Sequence, residues 1–191
     1  MQNRLATRDD AIAIGRQMQK QLPILSELQD STNSGRVEYT RAIWAYFNQL
    51  RSEQEPPWTL YPKTPPVRGK VKGEFLTDFS LFDERLGCRV ACESEWGRLD
   101  SIGWGFDKLM AVKADVKILV FQMKHGSEPK LPTAVKKRLA EEALADCCHH
   151  YPGHEYYLLI QFQGSESRLF FWEPHQSGPF LPGEIEFEYI E

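Results

Sequence analysis

Residues 116–122, VKILVFQ, are apolar almost without a break from Ile118 to Phe121. A strand of that composition has no face to offer to water, so it belongs inside a parallel or mixed sheet with both faces covered. Helices must then pack on the sheet, and the rest of the chain supplies them. Residues 8–22 bring Ile12, Met18 and Leu22 near one helical face beside Ala11 and Gly15. Thr7 is placed to cap that helix, Asp9 and Asp10 lie in its first turn, and Pro23 stops it. A polar stretch runs to Gly35, and a second helix is expected over 36–53, where Tyr39, Ile43, Tyr46, Phe47 and Leu50 recur at spacings of three and four. A loop at 98–103 leads to a helix over 104–114 with Phe106, Leu109 and Met110 inward. Pro132 opens a further helix with Val135, Leu139, Ala143 and Leu144 inside and Lys136, Lys137 and Arg138 outside, ended by Pro152-Gly153. Strands at 156–162 and 168–173 form a hairpin, and the terminal EIEFEYIE reads as an alternating strand or a loose end. The order predicts an α/β fold: one domain around a central mixed sheet flanked by helices.

The chemistry concentrates in residues 74–97, EFLTDFSLFDERLGCRVACESEWG, which read as two strands joined by a short turn. In the first, Leu76, Asp78, Ser80 and Phe82 share one face, and Phe75, Thr77, Phe79 and Leu81 the other. In the second, Cys88, Val90 and Cys92 face one way, and Arg89, Ala91, Glu93 and Glu95 the other. Period two therefore sets Glu93 and Glu95 on one side. Three carboxylates among apolar neighbours are costly unless paired, and a divalent cation such as Mg²⁺ or Mn²⁺ is the usual partner of such a cluster. Asp83, nearer the turn, competes with Asp78 for the place of first acid.

The chain has 191 residues, a formal net charge of −4 and a pI near 5.8, so nucleic-acid binding would need a local basic patch. One is available. Residues 55–72, EPPWTLYPKTPPVRGKVK, hold five prolines, which preclude a helix and favour an extended connection or edge strand. No acid falls between Pro56 and Gly73, while Lys63, Arg68, Lys70 and Lys72 are basic. The arm suits either a solvated loop or contact with a phosphate backbone.

Four cysteines, Cys88, Cys92, Cys147 and Cys148, have no spacing of a disulfide framework, and no apolar run suggests a leader or a membrane span, so the cytoplasm is the expected location. Cys147, Cys148, His149, His150 and His154 suggest zinc by residue type. Adjacent residues on a helix point about 100° apart, however, and structural zinc sites draw on two separated pairs. Trp58, Trp96, Trp104 and Trp172 are read first as packing residues, with base stacking as the other role open to them.

A helix, then strands bearing an Asp and, 15 residues later, Glu-x-Glu, then a helix and a buried strand, resembles the restriction-endonuclease-like (PD-(D/E)xK) nuclease superfamily. The tripeptide Glu93-Ser94-Glu95 is most similar to the E-x-E variant of the BamHI-type enzymes, with Glu where the motif usually has Lys. The resemblance spans residues 37–122, with 123–191 adding a helix and C-terminal strands. It implies a restriction-endonuclease-like fold and a Mg²⁺- or Mn²⁺-dependent nuclease acting on DNA ahead of RNA. Asp78 and Glu93 would be metal ligands, and Glu95 would orient or deprotonate the attacking water. Lys108, on the following helix, would supply the positive charge missing at Glu95. Cutting both strands would call for a homodimer. The alternative is a protein that kept the fold, lost catalysis, and binds nucleic acid or another protein.

Overall fold

A computed structural model describes residues 7–22, 33–66, 77–96, 98–122, 132–145, 155–163, 166–174 and 186–191. Its centre is the run expected to be doubly buried: strand β4 (Val116–Gln122) lies fourth in a seven-stranded sheet whose spatial order follows the chain, β1 (Thr59–Tyr61), β2 (Phe79–Asp83), β3 (Gly87–Trp96), β4, β5 (Tyr156–Gln163), β6 (Glu166–Trp172) and β7 (Glu188–Ile190). The pairs β3·β4 and β4·β5 are parallel and the others antiparallel, so the sheet is mixed.

Each parallel step needs a crossover helix. These are α3 (Leu99–Ala111) and α4 (Thr133–Ala145). Two steps in the same direction with the same hand leave both helices on one face of the sheet. There Ile102, Phe106, Leu109, Val135 and Leu139 pack on Leu119, Phe121, Tyr157, Leu159, Phe170 and Trp172. The opposite face is covered by α1 (Arg8–Gln21) and α2 (Asn33–Ser52), which meet Ile118, Val120, Leu158, Ile160 and Leu169. Odd and even positions of β4 thus go to different cores, as a pleated strand requires.

Helix α1 begins as its sequence predicts: Thr7 accepts from the Asp10 amide at 3.2 Å and its hydroxyl donates to the Asp10 carboxylate at 2.7 Å. The buried stripe is Ala11, Ile14, Gly15 and Met18, with Ile14 rather than Ile12 at its centre. All five apolar residues expected to point inward from α2 are buried. The Arg8–Glu188 ion pair ties α1 to the edge strand β7.

Several expectations shift. Helix α3 starts at Leu99, not Trp104: Leu99, Ile102 and Phe106 continue the apolar spacing, and Gly103 and Gly105 interrupt helix propensity without breaking the helix. Helix α2 starts at Asn33, ahead of Gly35. Cys88 packs in the α3/α4 core, whereas Val90 and Cys92 pack in the other. The cause is a bulge: Phe82 pairs with Cys88 but Leu81 with Val90, so Arg89 is an extra residue that reverses the facing. The hairpin strands run on to Gln163 and Glu166, and the terminal segment supplies β7. The Cys147–His154 cluster lies outside the described residues.

One close approach fixes α1 on the sheet. A Cβ at Gly15 would lie 2.9 Å from Leu169 Cδ1 and 3.3 Å from Leu158 Cδ1. Gly15→Val is expected to destabilise the protein by about 1–3 kcal/mol through overpacking, read as a lower urea midpoint. An unchanged midpoint would show that the helix is not held by this contact.

Candidate functional site

Thr77 sets the geometry at the entrance to β2. Its buried hydroxyl donates to the Phe79 carbonyl at 3.0 Å and lies 2.7 Å from Ser80 Oγ, a local bend just before the first strand residue. Asp78 therefore stands one step outside β2, not in its middle. The last paired residues are Phe79 and Cys92, so Asp78 comes opposite Glu93 at the point where the ladder ends. Its carboxylate takes the place of a missing backbone acceptor: Asp78 Oδ2 accepts from the Ser94 amide at 2.8 Å and from Ser94 Oγ at 2.7 Å. The Asp78 amide in turn donates to Glu93 Oε1 at 3.2 Å.

Glu93 is 0% exposed. Its other oxygen, Oε2, accepts from Lys108 Nζ of α3 at 3.0 Å. Two residues further on, Glu95 is half-buried on the same side, under α3. Gly105 makes that approach possible, since a Cβ there would lie 3.0 Å from Glu95 Cγ and 3.2 Å from Leu119 Cδ1. Asp78, Glu93, Glu95 and Lys108 thus meet in the C-terminal half of β3. In open α/β sheets ligands bind beyond the carboxyl ends of the parallel strands, and this is that end.

The electrostatics follow from burial. Burial first, and the neighbouring Asp78 charge second, push Glu93 up to about 8, with the Lys108 hydrogen bond opposing them. Glu95 is pushed up to about 7 by burial and then by Asp78. Burial works to lower Lys108, but the hydrogen bond and charge of Glu93, together with the charges of Asp78 and Glu95, outweigh it and hold the ammonium above its ordinary value.

Asp83 is placed elsewhere. It ends β2, and its Oδ1 accepts from the amides of Arg85 at 2.8 Å and Leu86 at 2.9 Å. These backbone bonds, the Arg85 one foremost, hold its carboxyl below the usual range, so Asp83 caps the turn. Lys63 is exposed beside β1, its ammonium 5.7 Å from the centroid of the Tyr61 ring, while Arg68, Lys70 and Lys72 lie outside the described residues. Among the described residues, no group of three His, Cys, Asp or Glu side chains stands ready to hold a metal ion, and no helix is long and apolar enough to cross a membrane.

Three residues matter here that the sequence did not single out. Ser94 fixes Asp78, and Gly105 admits Glu95. Gln161 lies in the same cross-strand row as Glu95, with Phe121 between them, and is buried with no hydrogen-bond partner for either end of its amide among the described residues. Ser94 is the x of Glu-x-Glu and was readable as part of the motif; the others carry no sequence signal. No protein-family model matches the chain, and comparison with curated proteins and with solved structures gives no match.

The raised carboxyls have a consequence for stability. A Glu that ionises near 8 in the fold and near 4.5 when unfolded keeps a proton that the unfolded chain releases, so stability falls as pH rises between those values. In chelator-treated protein the melting temperature is expected to drop from pH 5 to pH 8. Glu93→Gln should flatten most of that slope. A parent melting temperature that rises over this window would contradict the burial of an ionisable Glu93.

Proposed function

We propose that this protein is a nuclease of the restriction-endonuclease-like kind, hydrolysing a phosphodiester of DNA with the help of Mg²⁺ or Mn²⁺. The observation that carries the reading is the hydrogen-bonded line Ser94–Asp78–Glu93–Lys108, with Glu95 beside it. The order of a helix, three antiparallel strands, a crossover helix and a parallel strand supports it as well.

The donor set fits a hard cation. Carboxylate oxygens suit Mg²⁺, and both Asp78 Oδ1 and the Glu95 carboxylate are without a hydrogen bond among the described residues. Asp78 and Glu93 would hold the ion, which when bound neutralises charge on the scissile phosphate and acidifies a water molecule. Glu93 meets it only if Lys108 shares or releases Oε2. Lys108 would then offer its positive charge to a phosphate oxygen, taking the part that the motif Lys has in related patterns. Glu95, with its carboxyl near neutrality, accepts the proton of the attacking water. The water oxygen would bond to phosphorus as the bond to the leaving sugar oxygen breaks, that oxygen keeping the electron pair and taking a proton from solvent water. The exposed Lys63 and the basic residues after it would hold the flanking backbone, and cleavage of both strands of a duplex, if it occurs, would call for a pair of chains.

The Lys108–Glu93 pair also favours a second reading, a nucleic-acid- or protein-binding module without catalysis, because Lys108 already neutralises the most buried acid. Incubation with plasmid and oligonucleotides in Mg²⁺ or Mn²⁺ separates the two. Cleavage is expected from the parent, with loss of about a hundredfold or more in Asp78→Ala, Glu93→Ala and Lys108→Ala. Cleavage untouched by these changes would refute the site; no cleavage, with no metal-induced rise in melting temperature, would favour the binding module.

A further inference from the structure

Trp104 stands on α3 one turn before Lys108 and is 68% exposed. The other described tryptophans are covered: Trp58 and Trp172 are buried, and Trp44 and Trp96 are partly buried against the core. An indole left in water at this place is conspicuous because its surroundings are fixed. Ile102, Phe106, Leu109 and Met110 hold the opposite side of α3 to the sheet, and Gly105, the next residue, is seated on Glu95. Positions four apart on a helix are neighbours on its surface, about 5–6 Å between Cβ atoms. The indole therefore lies on the solvent side of the helix, next to the stem of the lysine whose ammonium reaches Glu93 at 3.0 Å.

We propose that Trp104 is a stacking platform for an unpaired base next to the phosphate held at Lys108, so that the substrate is single-stranded, or carries a frayed or overhanging end. This rests on the nuclease reading of the same site. Bases inside a duplex have both faces occupied by their neighbours, whereas an unpaired base offers a free face to an aromatic ring. A cation one helical turn away suits the phosphate of that same strand, so ring and ammonium are spaced along one chain of nucleotides. Trp104 is the most exposed of the large apolar side chains among the described residues.

The test is anisotropy of a fluorescein-labelled single-stranded 20-mer and of the blunt duplex of the same sequence, with Ca²⁺ present to limit turnover. Trp104→Ala is expected to weaken single-strand binding by about fivefold to a hundredfold, to leave duplex binding within about twofold, and to keep the parent melting temperature. Trp104→Phe should restore most of the loss. Equal loss on both probes, no loss on either, or a drop in sedimenting mass showing that a second copy of the chain covers the indole would each overturn the proposal. The two failures are distinguishable: cleavage lost in Asp78→Ala with single-strand binding unchanged in Trp104→Ala sinks stacking alone, whereas absent cleavage with the expected binding loss sinks catalysis alone.

Discussion

The burial of Glu93 is the constraint around which this end of the molecule is arranged. A carboxylate with no exposure is tolerable only if its oxygens are engaged, and both are: one by the Asp78 amide, the other by the Lys108 ammonium. Each engagement fixes an element. The first draws the entrance of β2 against β3 and orients Asp78, whose own carboxylate then holds Ser94. The second ties α3 to β3 from its solvent flank, while Gly105 lets the helix settle on Glu95. Asp78, Glu93 and Lys108 are consequently not independent surface charges but parts of one hydrogen-bonded corner, with Glu95 beside it.

The strands and the helix interiors were legible in the sequence because burial follows periodicity. The apolar run of β4 dictated a doubly covered strand, and the bounds of that strand match the run; the stripe of α2 and the cap of α1 are where residue spacing puts them. What escaped was decided by single contacts. Asp78 lies outside its strand because the Thr77 hydroxyl bends the backbone and a side chain, rather than a carbonyl, accepts the Ser94 amide. The facing of Cys88 was lost to one extra residue at Arg89, and the start of α3 to glycines that tertiary packing tolerates.

The candidate site was legible in part for the same reason. Period two on β3 is enough to set Glu93 beside Glu95, and the structure puts both against α3. The choice between Asp78 and Asp83 was not readable from spacing, since both lie on the same short stretch; it is the turn at Arg85 and Leu86 that occupies Asp83. Lys108 could be named only as a charge on the next helix, and its distance to Glu93 depends on how closely α3 approaches the strand. Elsewhere on that face the buried Lys117 finds Glu155 at 3.2 Å and Tyr157 Oη at 2.9 Å, an arrangement that satisfies a charge at the other end of the parallel strands. The contrast is instructive: Lys117 is sealed among its partners, whereas Lys108 is half-exposed and within reach of a ligand.

On the proposed function, the corner formed by Asp78, Glu93 and Glu95 would receive a divalent cation. Anomalous diffraction from crystals soaked in Mn²⁺ tests it most directly. One peak bonded to the Asp78 carboxylate and to Glu93 or Glu95, with Lys108 drawn away from Glu93, is the predicted result. Crystals that keep the Lys108–Glu93 pair and show no peak at this corner after soaking in excess Mn²⁺ would contradict it.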